Sequence, residues 1–230
     1  MEKLFFSAGF YLIKESKRKE YMSEIIVSQK IISLSNCICD TFPNIWAYQW
    51  DNNAIKEAER IALKYSIDVE VIKNLEEEIN QKFDKSIGWP NVFYDKETAI
   101  EFYKKFFTKI PDIKLIEVCI EEKYSQKLPK EYESNDFGLI NKLREKSKVL
   151  PNGKIIGYDI VGYEYGFSCS FLCNGLEKDY KEKFNIILNE IGLFSNYEDA
   201  QKAAEYNLRD DVGAEPILWL PWAVIEHELE

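Results

Sequence analysis

One short passage appears twice, once in each half of the chain, and it constrains the fold more than any other feature. The first copy runs Ile87-Gly88, Val92-Phe93 and Asp95-Lys96-Glu97-Thr98-Ala99 into an apolar helical stretch, then into the strand-like segment Ile113 to Ile120. The second runs Ile191-Gly192, Leu193-Phe194 and Asn196-Tyr197-Glu198-Asp199-Ala200 into a helical stretch, then into the segment Ile217 to Ile225. Each copy offers a side chain that can close a helix N-terminus. Asp95 does so in the first. In the second either Ser195 or Asn196 can, and Ser195 with Glu198 has capping-box spacing. A cap, a helix and a strand in the same order predict one fold assembled from two related helix–strand units. At aligned positions the first helix carries Phe102, Tyr103 and Phe106 and the second carries Ala203, Ala204 and Asn207. The second helix is therefore expected to approach its neighbours more closely. Neither copy holds a distinctive catalytic group, so the repeat reads as scaffold, and function is expected in the unmatched segments Cys37 to Asp51 and Lys154 to Gly175.

The remaining pattern fills in a sheet and its helices. Leu4 to Ile13 and Glu24 to Leu34 are rich in β-branched and aromatic residues and read as a hairpin, the first of them at a sheet edge, joined across the basic run Lys14 to Lys19. Ala54 to Tyr65 places Ile55, Ala58, Ile61, Ala62 and Tyr65 on one helical face, and Asp68 can cap a second helix reaching towards Lys85. A short helix over Phe137 to Ser147, a turn at Pro151-Asn152-Gly153 and a strand over Lys154 to Tyr165 follow. Leu176 to Ile191 reads as an amphipathic helix through Tyr180, Phe184, Ile187, Leu188 and Ile191. Pro221 assigns the last strand to an edge or a bulge, because proline cannot donate to a ladder. The fold class is α+β: a mainly antiparallel sheet with packed helices and internal pseudo-duplication. One domain over residues 1–230 is expected, and the alternative is two small related halves, 1–122 and 134–230, since Lys123 to Glu133 is the one linker-like stretch.

Composition narrows the function classes. Hydrophobic residues make up 46% of the 230 positions, ample for a packed core, while the formal net charge is -10 and the isoelectric point about 4.9. Such a charge repels phosphates, and the basic residues other than Arg18, Arg60, Arg144 and Arg209 are lysines, which lack the planar fork suited to base edges. No nucleic-acid partner and no membrane partner are therefore expected. The five cysteines, Cys37, Cys39, Cys119, Cys169 and Cys173, are odd in number and do not form a secreted disulfide framework, so a cytoplasmic location with reduced thiols is expected.

Catalytic signatures are sparse. The single histidine, His227, lies near the end of the sequence and limits general acid–base chemistry near neutrality. Gly166-Phe167-Ser168-Cys169-Ser170 departs from a nucleophile elbow at its last position. Cys37-Ile38-Cys39 and Cys169 to Cys173 do not have zinc-knuckle spacing, so no metal and no cofactor are expected. Gly153, Gly157, Gly162 and Gly166 lie along a strand, where they mark bulges or close packing, not a phosphate loop. Asp159 and Glu164 have odd spacing and point to opposite faces of an ideal strand, which argues against a carboxylate dyad.

Aromatic residues beside acids remain. Trp46, Tyr48 and Trp50 recur at every second position next to Asp51, a pattern suited to partner recognition. Acidity together with missing catalytic motifs leads to the expectation of a non-enzymatic, bacterial-type protein-binding module. Its concrete form is an immunity or antitoxin-like protein that masks a basic partner such as a nuclease toxin. Trp46, Trp50, Asp51, Asp159 and Glu164 are the expected contacts. The rivals are a hydrolase using Asp159 or Glu164, or Cys169 with His227, and a structural or regulatory module that assembles through an exposed sheet edge.

Overall fold

The structure is a computed structural model, and it describes residues 3–17, 30–35, 37–42, 54–78, 81–82, 87–88, 92–125, 127–128, 148–150, 155–163 and 167–230. In chain order the strands and helices are β1 (Phe5–Lys14), β2 (Ser16–Lys17), β3 (Lys30–Ile31), β4 (Asp40–Phe42), α1 (Ala54–Tyr65), α2 (Val69–Glu78), β5 (Ile87–Gly88), β6 (Val92–Phe93), α3 (Lys96–Phe106), β7 (Ile113–Glu121) and α4 (Glu122–Ser125). They continue with β8 (Ile155–Tyr163), β9 (Phe167–Ser170), a 3-10 turn (Phe171–Asn174), α5 (Glu177–Phe184), α6 (Tyr197–Asn207) and β10 (Leu218–His227). The main sheet has the order β5-β6-β1-β7-β10-β8-β9, with β4 also on β1, and its strand pairings are antiparallel. This is the α+β arrangement expected from the sequence.

The duplication is larger than the repeated passage. Asp95 and Asn196 cap α3 and α6 with nearly the same backbone angles, φ -136° and ψ 157° against φ -136° and ψ 156°. Each side chain accepts from the third residue on, Thr98 or Asp199, which satisfies a backbone donor that the helix cannot. The strand before each cap pairs with a long strand, Phe93 with Phe10 of β1 and Phe194 with Tyr158 of β8. Next to these pairs, Gly9 and Gly157 have positive φ and sit where the β7 and β10 ladders change register. Further along, Ile13 of β1 pairs with Thr41 of β4, and Val161 of β8 pairs with Ser170 of β9. So β1, β4, β6, α3 and β7 correspond to β8, β9, the Phe194 bridge, α6 and β10.

The two halves meet at the centre. Gly9 pairs with Val118 and Gly157 with Val224, and Val118 and Val224 pair with each other. A pseudo-two-fold axis therefore passes between β7 and β10, and the strands of both halves lie in one sheet. One face packs on α3 around Phe93, Ala99, Phe102 and Phe107, and further along on α6 around Tyr197, Ala200, Ala203 and Ala204. Buried residues on all these elements supply the hydrophobic driving force.

Several expectations are corrected. Ile87-Gly88 forms a strand pairing with β6, whereas Gly192 sits in a turn at φ 80°, so the Ile-Gly step is not shared between copies. Within Lys154 to Gly175, expected to be unmatched, β8 is the counterpart of β1 and β9 of β4. β1 lies inside the sheet, flanked by β7 on one side and by β6 and β4 on the other, and of the expected hairpin the pairing among the described residues is that of β2 with β3. β10 is central, between β7 and β8. Pro221 is tolerated there because the ladder to β7 begins only at Trp222. The helix expected over Leu176 to Ile191 ends at Phe184, where Asn185 turns left-handed at φ 56° and its N–H bonds back to Lys181.

Asn196, not Ser195, is the cap of α6. Asn196→Ala should therefore cost about 1 kcal/mol of stability in urea unfolding, and Ser195→Ala a few tenths. Equal losses for the two variants would refute the assignment.

Candidate functional site

The polar residues at the sheet centre stand where the pseudo-symmetry is broken. Glu117 pairs with Phe10, and its counterpart, the residue that pairs with Tyr158, is Ala223. Every second residue of β7 faces the helices, so Glu117 falls on that side together with Leu115 and Cys119. Its side chain is buried, yet its carboxylate is served from two directions. Lys148 is fixed by a two-bond backbone bridge to Phe5, 2.8 Å each way, and its ammonium pairs with Glu117 Oε1. His227 Nε2 donates to Glu117 Oε2 at 2.9 Å, and its ring packs tilted on Phe10. Burial pushes the Glu117 carboxyl up, and the Lys148 ammonium and the His227 hydrogen bond outweigh it, so the group ends below its ordinary value. Cys119 Sγ lies 3.6 Å from Glu117 Oε1 and not against the histidine. Burial, with the Glu117 charge, drives the Cys119 thiol well above its ordinary range, which makes it a poor nucleophile.

On the other face Asp159 is fully buried, at the position equivalent to Tyr11. Its Oδ2 accepts from the Ser33 hydroxyl at 3.0 Å and from the Leu34 N–H at 2.8 Å. The carboxylate thereby anchors the strap of residues 30–42, which is also tied by Ile32 N–H to Ile191 O at 3.0 Å and by β4 to β1. Burial raises the Asp159 carboxyl to about 6, against the lowering effect of the Leu34 and Ser33 hydrogen bonds. Asp159 is thus turned inside, and a partner meets its carboxylate only after the strap is displaced. Trp46, Trp50, Asp51 and Glu164, the other expected contacts, lie outside the described residues.

The raised value fixes a sign. The folded state binds the Asp159 proton more tightly than the unfolded chain, whose carboxyl titrates near its ordinary 3.8. Its contribution is therefore most favourable below that value and is lost as pH rises through about 6. The difference of roughly two units corresponds to about 3 kcal/mol. Asp159→Asn should remove this slope, so the stability of the variant relative to the parent should rise between pH 4 and pH 7 in urea titrations. Parallel pH profiles for the two proteins would sink the assignment.

The expected Cys169 and His227 pair is not assembled. Cys169 lies on β9 beside Gly162, which pairs with Trp219, while His227 is eight residues further along β10. At the rise of an extended strand that is about 26 Å. Among the described residues no group of three or more His, Cys, Asp or Glu side chains is arranged to hold a metal ion, and no helix is long and apolar enough to cross a membrane.

Lysines sit against carboxylates: Lys3 with Glu198, Lys64 with Asp40, Lys82 with Glu101 and Lys105 with Glu78. Such pairs add little stability, but they cancel positive field locally. At the His227 end of β10 two adjoining open depressions, of about 360 and 620 Å³, are walled by Glu190, Glu226, Glu228 and Glu230 around Lys114. Lys114 is already matched by Glu226 at 2.6 Å and Glu15 at 3.4 Å.

Sequence reasoning missed Glu117 and Lys148. The available signal was a lone carboxylate inside Ile113 to Ile120, a strand apolar on both of its faces. Compared with protein families, with curated proteins and with solved structures, the chain gives no match.

Proposed function

We propose that the chain is an acidic protein-binding module that masks a basic partner, in the manner of an immunity or antitoxin-like protein acting on a nuclease toxin. The observation that carries this reading is the carboxylate-walled end of β10. Its depressions offer Glu190, Glu226, Glu228 and Glu230 to incoming cations, and the one lysine lining them is already neutralised. Ile187, on the same connection as Glu190, is an exposed apolar side chain. The net charge of -10 supports the reading by steering a basic protein towards the surface and repelling nucleic acid. The hydrolase reading has less support, because Asp159 is enclosed and Cys169 lies far along the sheet from His227.

The test is affinity capture from the native cell, followed by titration of the purified basic partner and by co-expression with the toxic product of a neighbouring gene. Binding should weaken as salt rises, and charge reversal at Glu190 and Glu228 should slow association by about tenfold or more at low salt. Protection of co-expressing cells is the expected result. Failure to bind a basic protein, or to protect, overturns the proposal.

A further inference from the structure

The pseudo-two-fold axis sets the strap apart. In the second half β8 ends at Tyr163 and β9 begins at Phe167, while in the first β1 ends at Lys14 and the corresponding β4 begins only at Asp40. The strap belongs to this extra stretch, and it crosses to the second half to close on Asp159. At the equivalent position the first half carries the neutral Tyr11. Asp159 is fully buried. Its Oδ2 accepts from the Ser33 hydroxyl at 3.0 Å and the Leu34 N–H at 2.8 Å, both uncharged donors. Its Oδ1 is enclosed with no hydrogen-bond partner among the described residues. We propose that Asp159 is a proton-gated latch, which holds the 30–42 strap shut while its carboxyl is protonated and releases it as the carboxyl ionises.

A carboxylate enclosed by neutral donors forgoes the hydration that stabilises its charge, and a proton removes that cost. A proton on Oδ1 leaves Oδ2 able to accept from Ser33 and Leu34, so the neutral form keeps both bonds. Once the strap moves away, water reaches the carboxyl and the ionised form is favoured. Opening and ionisation are thereby linked, and each promotes the other. The rise of the buried carboxyl to about 6 agrees with this sign. The ionisable neighbours do not supply the missing positive charge. On the strap, Cys39 donates to Ile31 O at 3.3 Å and burial pushes its thiol up to about 12, while Asp40 is engaged by Lys64 and Tyr65. On β8, Tyr163 packs tilted on Trp222, the β10 residue opposite Asp159. On β1, burial holds the Tyr11 phenol above its ordinary range. Beyond Ile32 stand Glu190 and Glu226, and the lysine there, Lys114, is bonded to Glu226 at 2.6 Å.

The latch sits where opening has a structural consequence. The strap is tied to β2 by β3 at one end and to β1 by β4 at the other. Between these ties, Ile32 N–H bonds to Ile191 O at 3.0 Å, and Ser33 and Leu34 bond to Asp159. Ile32, Leu34 and Ile38 are buried, so release uncovers apolar side chains together with the carboxylate. Ile32 also lines the larger depression with Lys114, Glu190 and Glu226, and opening takes it out of that wall. The bearing of the latch on partner binding rests on the masking role proposed above, while the latch itself does not.

The experiment is amide hydrogen exchange of the full chain, read residue by residue by NMR between pH 5 and pH 8 and corrected for the intrinsic pH dependence of exchange. The opening constants at Ile32 and Leu34 should rise together by about tenfold across this range and level off at its upper end. At each pH they should exceed those of the β7–β10 ladder by about a hundredfold or more, which marks a local opening. Asp159→Asn keeps an acceptor at Oδ and carries no charge, so the strap of this variant should open with no pH dependence. The parent protein carries a second test that needs no variant: its Asp159 carboxyl carbon should titrate near 6. Titration near the ordinary 3.8, or opening at Ile32 and Leu34 that ignores pH, overturns the latch. Equal opening constants for strap and ladder overturn it as well, because the strap then opens only with global unfolding. A slope that persists in Asp159→Asn assigns the gating to another group. None of these readouts involves a partner, so failure of the masking role leaves them unchanged.

Discussion

Lys148→Met lowers stability at pH 7 by about 2 kcal/mol, because it leaves the buried Glu117 carboxylate without its partly exposed ammonium partner. Glu117 gains its low pKa from Lys148 and His227. The parent protein therefore holds this stabilisation above the ordinary carboxyl value and loses it as pH falls through the depressed one. In Lys148→Met the same carboxyl is pushed up by burial, so the deficit should be largest near neutrality and shrink in acid. The pseudo-symmetry supplies the rescue. At the position equivalent to Glu117 the second half carries Ala223, fully buried and with no charge to satisfy. Glu117→Leu combined with Lys148→Met should therefore recover most of the loss, because it removes the buried carboxylate that the single variant leaves without its ammonium. Urea unfolding of the two single variants and the double variant measures this coupling. Simple additivity would show that Glu117 and Lys148 do not act as a pair.

The elements that were legible in the sequence are those whose pattern is local. Asp95 and the stripe Ala99, Phe102, Phe106 define α3, Pro111 ends it, and the apolar run from Ile113 gives β7. Local pattern failed where tertiary context decides. β1 reads Gly9-Phe10-Tyr11-Leu12-Ile13 and β8 reads Gly157-Tyr158-Asp159-Ile160-Val161, a correspondence visible once the register is known. It was obscured because β1 and β6 are separated by β4, α1, α2 and β5, while the same path from β8 to Phe194 is much shorter. Asp159 is an expected partner contact from sequence, but the central residues of β8 are buried on both faces, so alternation does not say which way it points. Leu176 to Ile191 kept an apolar periodicity beyond its helix because Ile186 and Leu188 are buried from an extended segment, not from a helical turn.

That hidden correspondence makes the second large prediction. Gly9 has φ +122°, and a Cβ there would stand 2.6 Å from Phe93 O and 2.9 Å from Val92 Cγ2. Gly157 has φ +154°, and a Cβ there would stand 2.6 Å from Leu193 Cβ and 3.0 Å from Phe194 O. In both places the obstacle is the strand that leads into a helix cap, and a backbone oxygen is part of it. Each glycine is therefore required twice, for its backbone angle and for the close approach. Gly9→Ala and Gly157→Ala should each cost about 3 kcal/mol or more. Gly175→Ala is the control: its φ of +64° is also left-handed, but no atom lies within 4 Å of the added Cβ, so only the backbone penalty of about 1–2 kcal/mol applies. Because β7 and β10 join the halves through the Val118–Val224 pair, strain placed in either half should lower the same unfolding transition. Fluorescence of Trp219 and Trp222 on β10, read in a background with Trp46, Trp50 and Trp89 replaced by phenylalanine and followed alongside far-ultraviolet circular dichroism, reads this directly. Gly9 lies in the first half and the probes in the second, so coincident shifts are expected for both variants. A Gly9→Ala protein whose tryptophan transition stays at the parent midpoint would show that the two halves unfold independently.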